Sequence, residues 1–196
     1  NILGLSIAFA AAYIILVQVN FDLGYNKCFR DGDRTFRLEL RGLWGEDNTW
    51  TPYLNHQSGH LFGEIDDNVE SFTSMHLYSW NASLTFYDFG GSAEPQTMVV
   101  RVTTGMPNAP QIMGFNLVEG DFEQMKGPGS VLLSESFATK HGLTVGNAIK
   151  LNEDYSLTVV GIFKDFPKNC DLYGLELYSG EDTAENSDPT AWSYTY

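Results

Sequence analysis

The chain has 196 residues, 25 acidic and 11 basic, for a formal net charge of −14. That balance argues against a nucleic-acid binder, which needs a basic face to neutralise phosphates. Two cysteines are too few for a disulfide scaffold, and a composition 43% hydrophobic and 14% aromatic belongs to a chain with a folded core rather than a disordered one.

Residues 1–20 carry no charged side chain. Ile2 to Val19 reads ILGLSIAFAAAYIILVQV, with Ser6 and Gln18 as its clearly polar members. Eighteen helical residues cover about 27 Å, close to the hydrocarbon thickness of a bilayer. Apolar residues lie on every face, unlike an amphipathic surface helix, and the small residues Gly4, Ser6, Ala8 and Ala10 to Ala12 suit close packing in a membrane. A signal peptide competes, through the small-x-small triplet Ala8-Phe9-Ala10, but no basic stretch precedes it and the apolar run continues past it. A buried core helix also competes, though eighteen residues is long for one. Length and flanks favour the span. Lys27, Arg30, Arg34, Arg37 and Arg41 follow it, which by the positive-inside rule alone would be cytoplasmic. Long translocated domains largely escape that rule, so charge leaves the topology open.

Phe21 to Phe29 is expected to prolong the helix as a stalk despite Gly24, before the turn signal Asp31-Gly32-Asp33. Thr35 to Arg41 alternates apolar and polar residues with period two, as a half-buried strand does, and Gly42 to Asn48 reads as a loop. Thr51-Pro52 has the form of a helix start, with Leu54, Leu61 and Ile65 following on one face. Val69 to Tyr78, Ser83 to Tyr87 and Thr97 to Thr103 read as strands, the last two separated by Gly90-Gly91 and Pro95. Ser130 to Leu133 is a short apolar strand. It leads to Ser134 as N-cap, a helix over Glu135 to His141, and Gly142 where a left-handed C-cap belongs. Ala148 to Leu151 and Tyr155 to Phe163 predict a hairpin around Asn152 to Asp154. On its second strand Leu157, Val159 and Phe163 are expected on one face and Val160 and Ile162 on the other, with both faces covered. Asp165-Phe166-Pro167 ends that strand, and Glu176 to Asp188 is acidic and rich in turns. The chain starts at Asn1 without Met and stops at Tyr196 without a closing element, and is expected to be a fragment.

Two anchors now stand in order: the apolar span followed by DLGYNKCFRDGDRTFRLEL (Asp22 to Leu40), and the stretch Gly114 to Asn169 with GFNLVEGDFE, SVLLSESFATKHGLTVGNAIKL and YSLTVVGIFKDFPKN. Together they resemble the MacB/FtsX-like permease family of ABC transporters, over the first transmembrane helix and the MacB-like periplasmic core domain. The resemblance implies an α+β fold: a transmembrane and stalk helix, a porter-like α/β subdomain built from two chain segments, and an inserted, mixed but mainly β subdomain. Mapped here, 1–20 is the membrane helix and 21–79 the stalk and first porter-like segment. The insertion is then 80–171, and 172–196 is the incomplete start of the second porter-like segment. It implies an inner-membrane protein with residues 21–196 in the periplasm. The implied partners are a cytoplasmic ABC ATPase, a second permease copy, and a periplasmic adaptor, lipoprotein or hydrolase. The implied work is export or partner activation by mechanotransmission, with Asp22, Tyr25, Asn26 and Phe29 in the coupling stalk, no catalytic residues and no cofactor.

Cys28 and Cys170 stand where the family more often has an aromatic and a serine. They are an even pair in an oxidising compartment and a candidate disulfide tying the stalk to the end of the hairpin, with two buried free thiols as the alternative. His56 and His60 have i, i+4 spacing, but HQSGH lacks the glutamate of a zinc protease; His76 or His141 would have to arrive through folding, and no metal site is expected. Lys126 to Ser130 is glycine-rich but lacks the full phosphate-loop pattern and reads as a turn. Asp165, beside Lys164 and Lys168, reads as a strand-end residue rather than an acid–base group. No Ser/His/Asp set has a nucleophile context, which disfavours a hydrolase. The aromatics Trp44, Trp50, Trp80, Tyr87, Trp192, Tyr194 and Tyr196 suit strand packing. They also keep open a second reading, an anchored or secreted binding module for carbohydrate or peptide.

Overall fold

The computed structural model describes residues 1–41, 50–51, 71, 73, 75–76, 80–87, 95–151, 155–180 and 194–195. Helix α1, Ile2–Leu23, is 22 residues long, with every side chain at least partly exposed. At ~1.5 Å per residue it reaches about 33 Å, enough to cross a bilayer. Its polar groups are satisfied along its own axis: the Ser6 hydroxyl donates to the Ile2 carbonyl at 2.9 Å, and the Gln18 amide donates to Asp22 Oδ1 at 2.8 Å. The expected extension to Phe29 does not form. The helix stops at Leu23, Gly24 caps it with its N–H on the Asn20 carbonyl, and residues 24–31 are turns. Asn26 adopts a left-handed conformation (φ 58°), which no helix accommodates, so the chain turns there.

The turn signal at Asp31 is a short 3₁₀ helix, Gly32–Arg34, with Asp31 itself left-handed. The period-two stretch 35–41 is strand only at β1, Leu40–Arg41, paired antiparallel with β2, Trp50–Thr51. Residues 35–39 have no partner strand among the described residues, and alternation without a partner forms no ladder. Thr51 therefore sits in a strand; the helix predicted after Pro52, including His56 and His60, lies outside the described residues, as does the loop 42–48. Of the predicted strand 69–78, Met75–His76 (β3) is described as strand.

The centre of the molecule is a closed ring. Strands β4 (Trp80–Tyr87) and β5 (Pro95–Gly105) form an antiparallel hairpin, longer than predicted because Pro95 is the first residue of β5, where its missing N–H costs no ladder bond. The chain then makes α2 (Ala109–Ile112), β6 (Leu117–Gly120), a 3₁₀ turn at Phe122–Lys126, and β7 (Ser130–Ser134). It continues as α3 (Glu135–His141), β8 (Ala148–Leu151), β9 (Tyr155–Phe163) and β10 (Leu177–Gly180). β10 pairs with β7 on one side and, in parallel, with β5 on the other. The order β5–β4–β8–β9–β7–β10 thus returns to β5. β6 lies beside the end of β9, while β3 and β11 (Tyr194–Thr195) extend the sheet past Gly105. β10 falls in the stretch 172–196 expected to open the second porter-like segment; its backbone pairing joins it to the ring.

Leu84, Phe86, Val100, Val102, Val131, Leu133, Ile149, Leu157, Val159 and Leu177 fill one buried cluster, onto which α3 lays Phe137 and Ala138. The predicted capping of α3 is present in full: Ser134 Oγ accepts from the Phe137 N–H, and Gly142 is left-handed at φ 66°. Asp165 adds a second cap, accepting from the Ser136 N–H at 3.0 Å and from its hydroxyl, which gives this carboxylate a structural task at a helix N-terminus. His141 packs against the rings of Phe137 and Phe86.

The hairpin β8–β9 forms as predicted, but the face assignment on β9 needs correction. In the parallel pair with β7, Val131 faces Val159 and Leu132 faces Gly161, so Val160 is an extra residue, a bulge. The bulge resets the alternation. Ile162 joins Leu157 and Val159 inside the ring, and Phe163 joins Val160 on the outer face. That outer face carries a second core of Phe115, Met125, Leu132, Phe166, Cys170, Leu172, Leu175 and Tyr178, with Cys28 and Phe29 packed against it. β7 is buried along its whole length because it separates the two cores, which is why its sequence is a continuous apolar run.

Candidate functional site at the stalk junction

Helix α1 passes into the ring domain at one point, and polar side chains hold that point. The Asn26 N–H donates to the Asn169 carbonyl at 2.8 Å, and the Asn169 amide donates back to the Gly24 carbonyl at 2.9 Å. The Asn26 side chain reads Asp171 twice: its Nδ2 donates to Oδ2 at 2.7 Å, and its Oδ1 accepts from the Asp171 N–H at 2.9 Å. The Tyr25 hydroxyl donates to Asp171 Oδ1 at 2.8 Å. Five hydrogen bonds therefore join residues 24–26 to residues 169–171. Asparagine suits Asn26 doubly, because it tolerates the left-handed backbone and offers both a donor and an acceptor.

Apolar contacts continue the clasp. Phe29 sits 6.2 Å from the ring of Phe166, which packs edge-on against Phe115 at 4.9 Å; Phe115 in turn meets Phe163 and Tyr178. Gly114 is left-handed (φ 71°) and lies against the stalk so closely that a Cβ there would be 2.3 Å from Arg30 Cβ and 2.7 Å from the Arg30 nitrogen. An open cleft of about 400 Å³ lies beside this contact, lined by Cys28, Arg30, Gln111, Phe115 and Phe122 among others.

Of the four stalk residues singled out from sequence, Tyr25 and Asn26 bond Asp171, Phe29 enters the outer core, and Asp22 closes a bond from Gln18 within α1. Sequence reasoning missed Gly24, Gly114, Asn169 and Asp171. The available signal was a pair of Asx residues, Asn169 and Asp171, two and four positions after Pro167. Cys28 and Cys170 are both free thiols. Burial, and then hydrogen bonding with the Cys28 thiol, push Cys170 up to about 12. Among the described residues no group of histidine, cysteine and carboxylate side chains could hold a metal. Trp50 lies under the Arg41 guanidinium at 5.9 Å, while Trp44, Trp192 and Tyr196 lie outside the described residues. The 126–130 segment is a turn in which the Ser130 hydroxyl donates to the Gln124 carbonyl.

The hydrogen bond to Asp171, and then its charge, raise the Tyr25 phenol above its ordinary value of 10.0. The folded state holds this proton longer than the unfolded one, so the contact stabilises fully below pH 10 and is lost as pH rises through the higher folded value. Tyrosinate absorbance on a pH ramp should show a phenol titrating above 10 in the native protein that is lost in Tyr25→Phe and returned to the ordinary range by Asp171→Asn.

The described residues thus comprise a membrane-length apolar helix clasped to a mixed α+β domain built on a closed β ring. Residues 1–186 match the MacB-like periplasmic core domain family, and the chain belongs to it. It is similar to a permease-protein domain from Porphyromonas gingivalis, with a TM-score of 0.66 and 20% identity over 85% of this chain and 75% of that one. It is also similar to the periplasmic region of MacB from Actinobacillus actinomycetemcomitans, with a TM-score of 0.50 and 16% identity over 72% of this chain and 63% of that one. A third likeness is to the extracellular domain of the ABC-type transporter YknZ from Gram-positive bacteria, with a TM-score of 0.50 and 12% identity over 74% and 72%. No curated protein sequence matches the chain. The chain is thus a MacB-like periplasmic core domain, and the solved structures it resembles come from permease and ABC-type transporter proteins. The apolar helix and the periplasmic domain fit an inner-membrane protein with a periplasmic segment.

Proposed function

We propose that this domain is a mechanical output arm. ATP hydrolysis in the cytoplasmic subunit shifts α1, and the shift reaches the ring domain to drive export or to act on a periplasmic partner. The observation that carries this reading is the clasp: five hydrogen bonds join residues 24–26 to residues 169–171, and Phe29 meets Phe166 of the outer core. A single hydrogen bond contributes about 1 kcal/mol net, too little to transmit force alone. Several bonds on adjacent residues fix both position and direction, so displacement of Gly24 to Asn26 drags Asn169 to Asp171 with it. On this reading residues 80–171 are the inserted subdomain, 21–79 and 172–196 belong to the porter-like part, and a second permease copy and an adaptor, lipoprotein or hydrolase are the partners.

The test is a flexible Gly-Gly insertion after Phe21 in the full-length permease with its ATPase. Export or partner activation should fall at least tenfold while membrane level and ATP turnover hold. Unchanged output would remove the mechanical role of the stalk.

A further inference from the structure

We propose that Cys28 and Cys170 are a reversible disulfide site that converts the stalk clasp from a hydrogen-bonded contact into a covalent one. The cysteines flank the clasp: Cys28 lies two residues beyond Asn26, and Cys170 lies between Asn169 and Asp171, both of which Asn26 bonds. Those bonds fix both chain segments, and Cys28 packs on the core that contains Cys170. The two thiols differ in access. Cys170 is 3% exposed, whereas Cys28 is half-buried and lines the open cleft next to Gly114 and Arg30. A thiol reagent therefore meets Cys28 first.

The oxidant is a disulfide carrier R–S–S–R, small molecule or protein, of the kind that maintains oxidised thiols outside the cytoplasm. The Cys28 thiolate attacks one carrier sulfur, breaking the carrier bond and releasing one thiol. Cys170 then loses its proton and attacks Cys28 Sγ, forming the Cys28–Cys170 bond and releasing the second thiol. The protein pair gives up two electrons and two protons, and the carrier leaves as two thiols. Burial raises the pKa of the Cys170 thiol, so the second step is slow at neutral pH. The pair then stays reduced until an oxidant persists, as a regulated site requires and a constitutive structural disulfide does not.

The full chain in lipid nanodiscs is treated with oxidised glutathione and then with dithiothreitol. Unreduced peptide mapping by mass should show the Cys28 and Cys170 peptides joined, two hydrogens lighter than the separate thiols. The link should form about tenfold faster per pH unit between 7 and 9, following the Cys170 thiolate fraction. Amide exchange at Asn26 and Asp171 should slow at least tenfold on linkage and recover on reduction. Cys28→Ser and Cys170→Ser should each lose both effects. A glutathione adduct that remains on Cys28, two thiols recovered free, or a link that leaves exchange at Asn26 and Asp171 unchanged would overturn the proposal.

Discussion

Replacing Gly114 with alanine is expected to destabilise the domain by about 3 kcal/mol and to loosen the stalk in particular. A left-handed backbone costs a non-glycine residue about 1 kcal/mol or more. The new methyl would also overlap Arg30 Cβ and its backbone nitrogen, at 2.3 and 2.7 Å, and an overpacked contact of this kind adds about 1–3 kcal/mol. The neighbour is stalk backbone and cannot rotate away. Relief has to come by moving residues 26–30 off the outer core. Gly142→Ala is the matched comparison: its φ is 66°, nothing lies within 4 Å of a Cβ there, and only the backbone cost of about 1 kcal/mol applies. Thermal unfolding should separate the two by several degrees, and amide exchange at Asn26 should accelerate in the Gly114 variant alone. Equal melting shifts would mean that the stalk does not rest on Gly114.

Leu177→Ala should cost about 2–5 kcal/mol. Leu177 is fully buried on β10, with Val102 of β5 on one side and Leu133 of β7 on the other, so truncation leaves a void at the seam where the ring closes. Val99→Ala, on the exposed face of β5 at 68% exposure, should stay within about 0.5 kcal/mol. Denaturant titration measures both. A Leu177 variant as stable as the Val99 variant would show that β10 is not needed for closure.

What could be read from the chain alone follows from the range of the forces involved. The Ser134 to Gly142 unit was legible to the residue because capping is local: a hydroxyl, three residues and a glycine decide it. The β8–β9 hairpin was legible for the same reason. The faces of β9 were not. Period-two reading assumes an unbroken ladder, and the bulge at Val160 arises from the match to β7, not from any signal in the strand itself. Thr35 to Leu38 kept the pattern of a strand, yet a strand needs a neighbour, and no described residue pairs with them. The candidate site divides in the same way. Asp22, Tyr25, Asn26 and Phe29 are marked through a family resemblance, while nothing in the sequence reading singles out Asn169 or Asp171, because only the tertiary fold brings them to the helix end. The cysteines were visible as a pair; that they neighbour each other follows from the clasp.

The closed ring also dictates an order of events during synthesis. β5 is complete by Gly105, but its parallel partner β10 begins at Leu177. Until that segment has emerged, β5 and β7 each present an unpaired edge, the feature that templates aggregation. Parallel pairing over so long a separation is a slow, high-contact-order step. Helix α1, at the head of the chain, can enter the membrane well before the barrel is able to shut. The anchor therefore holds a nascent, open-edged domain at the bilayer surface, apart from other copies, for the interval in which it is most vulnerable. A soluble fragment ending before Leu177 lacks both protections at once.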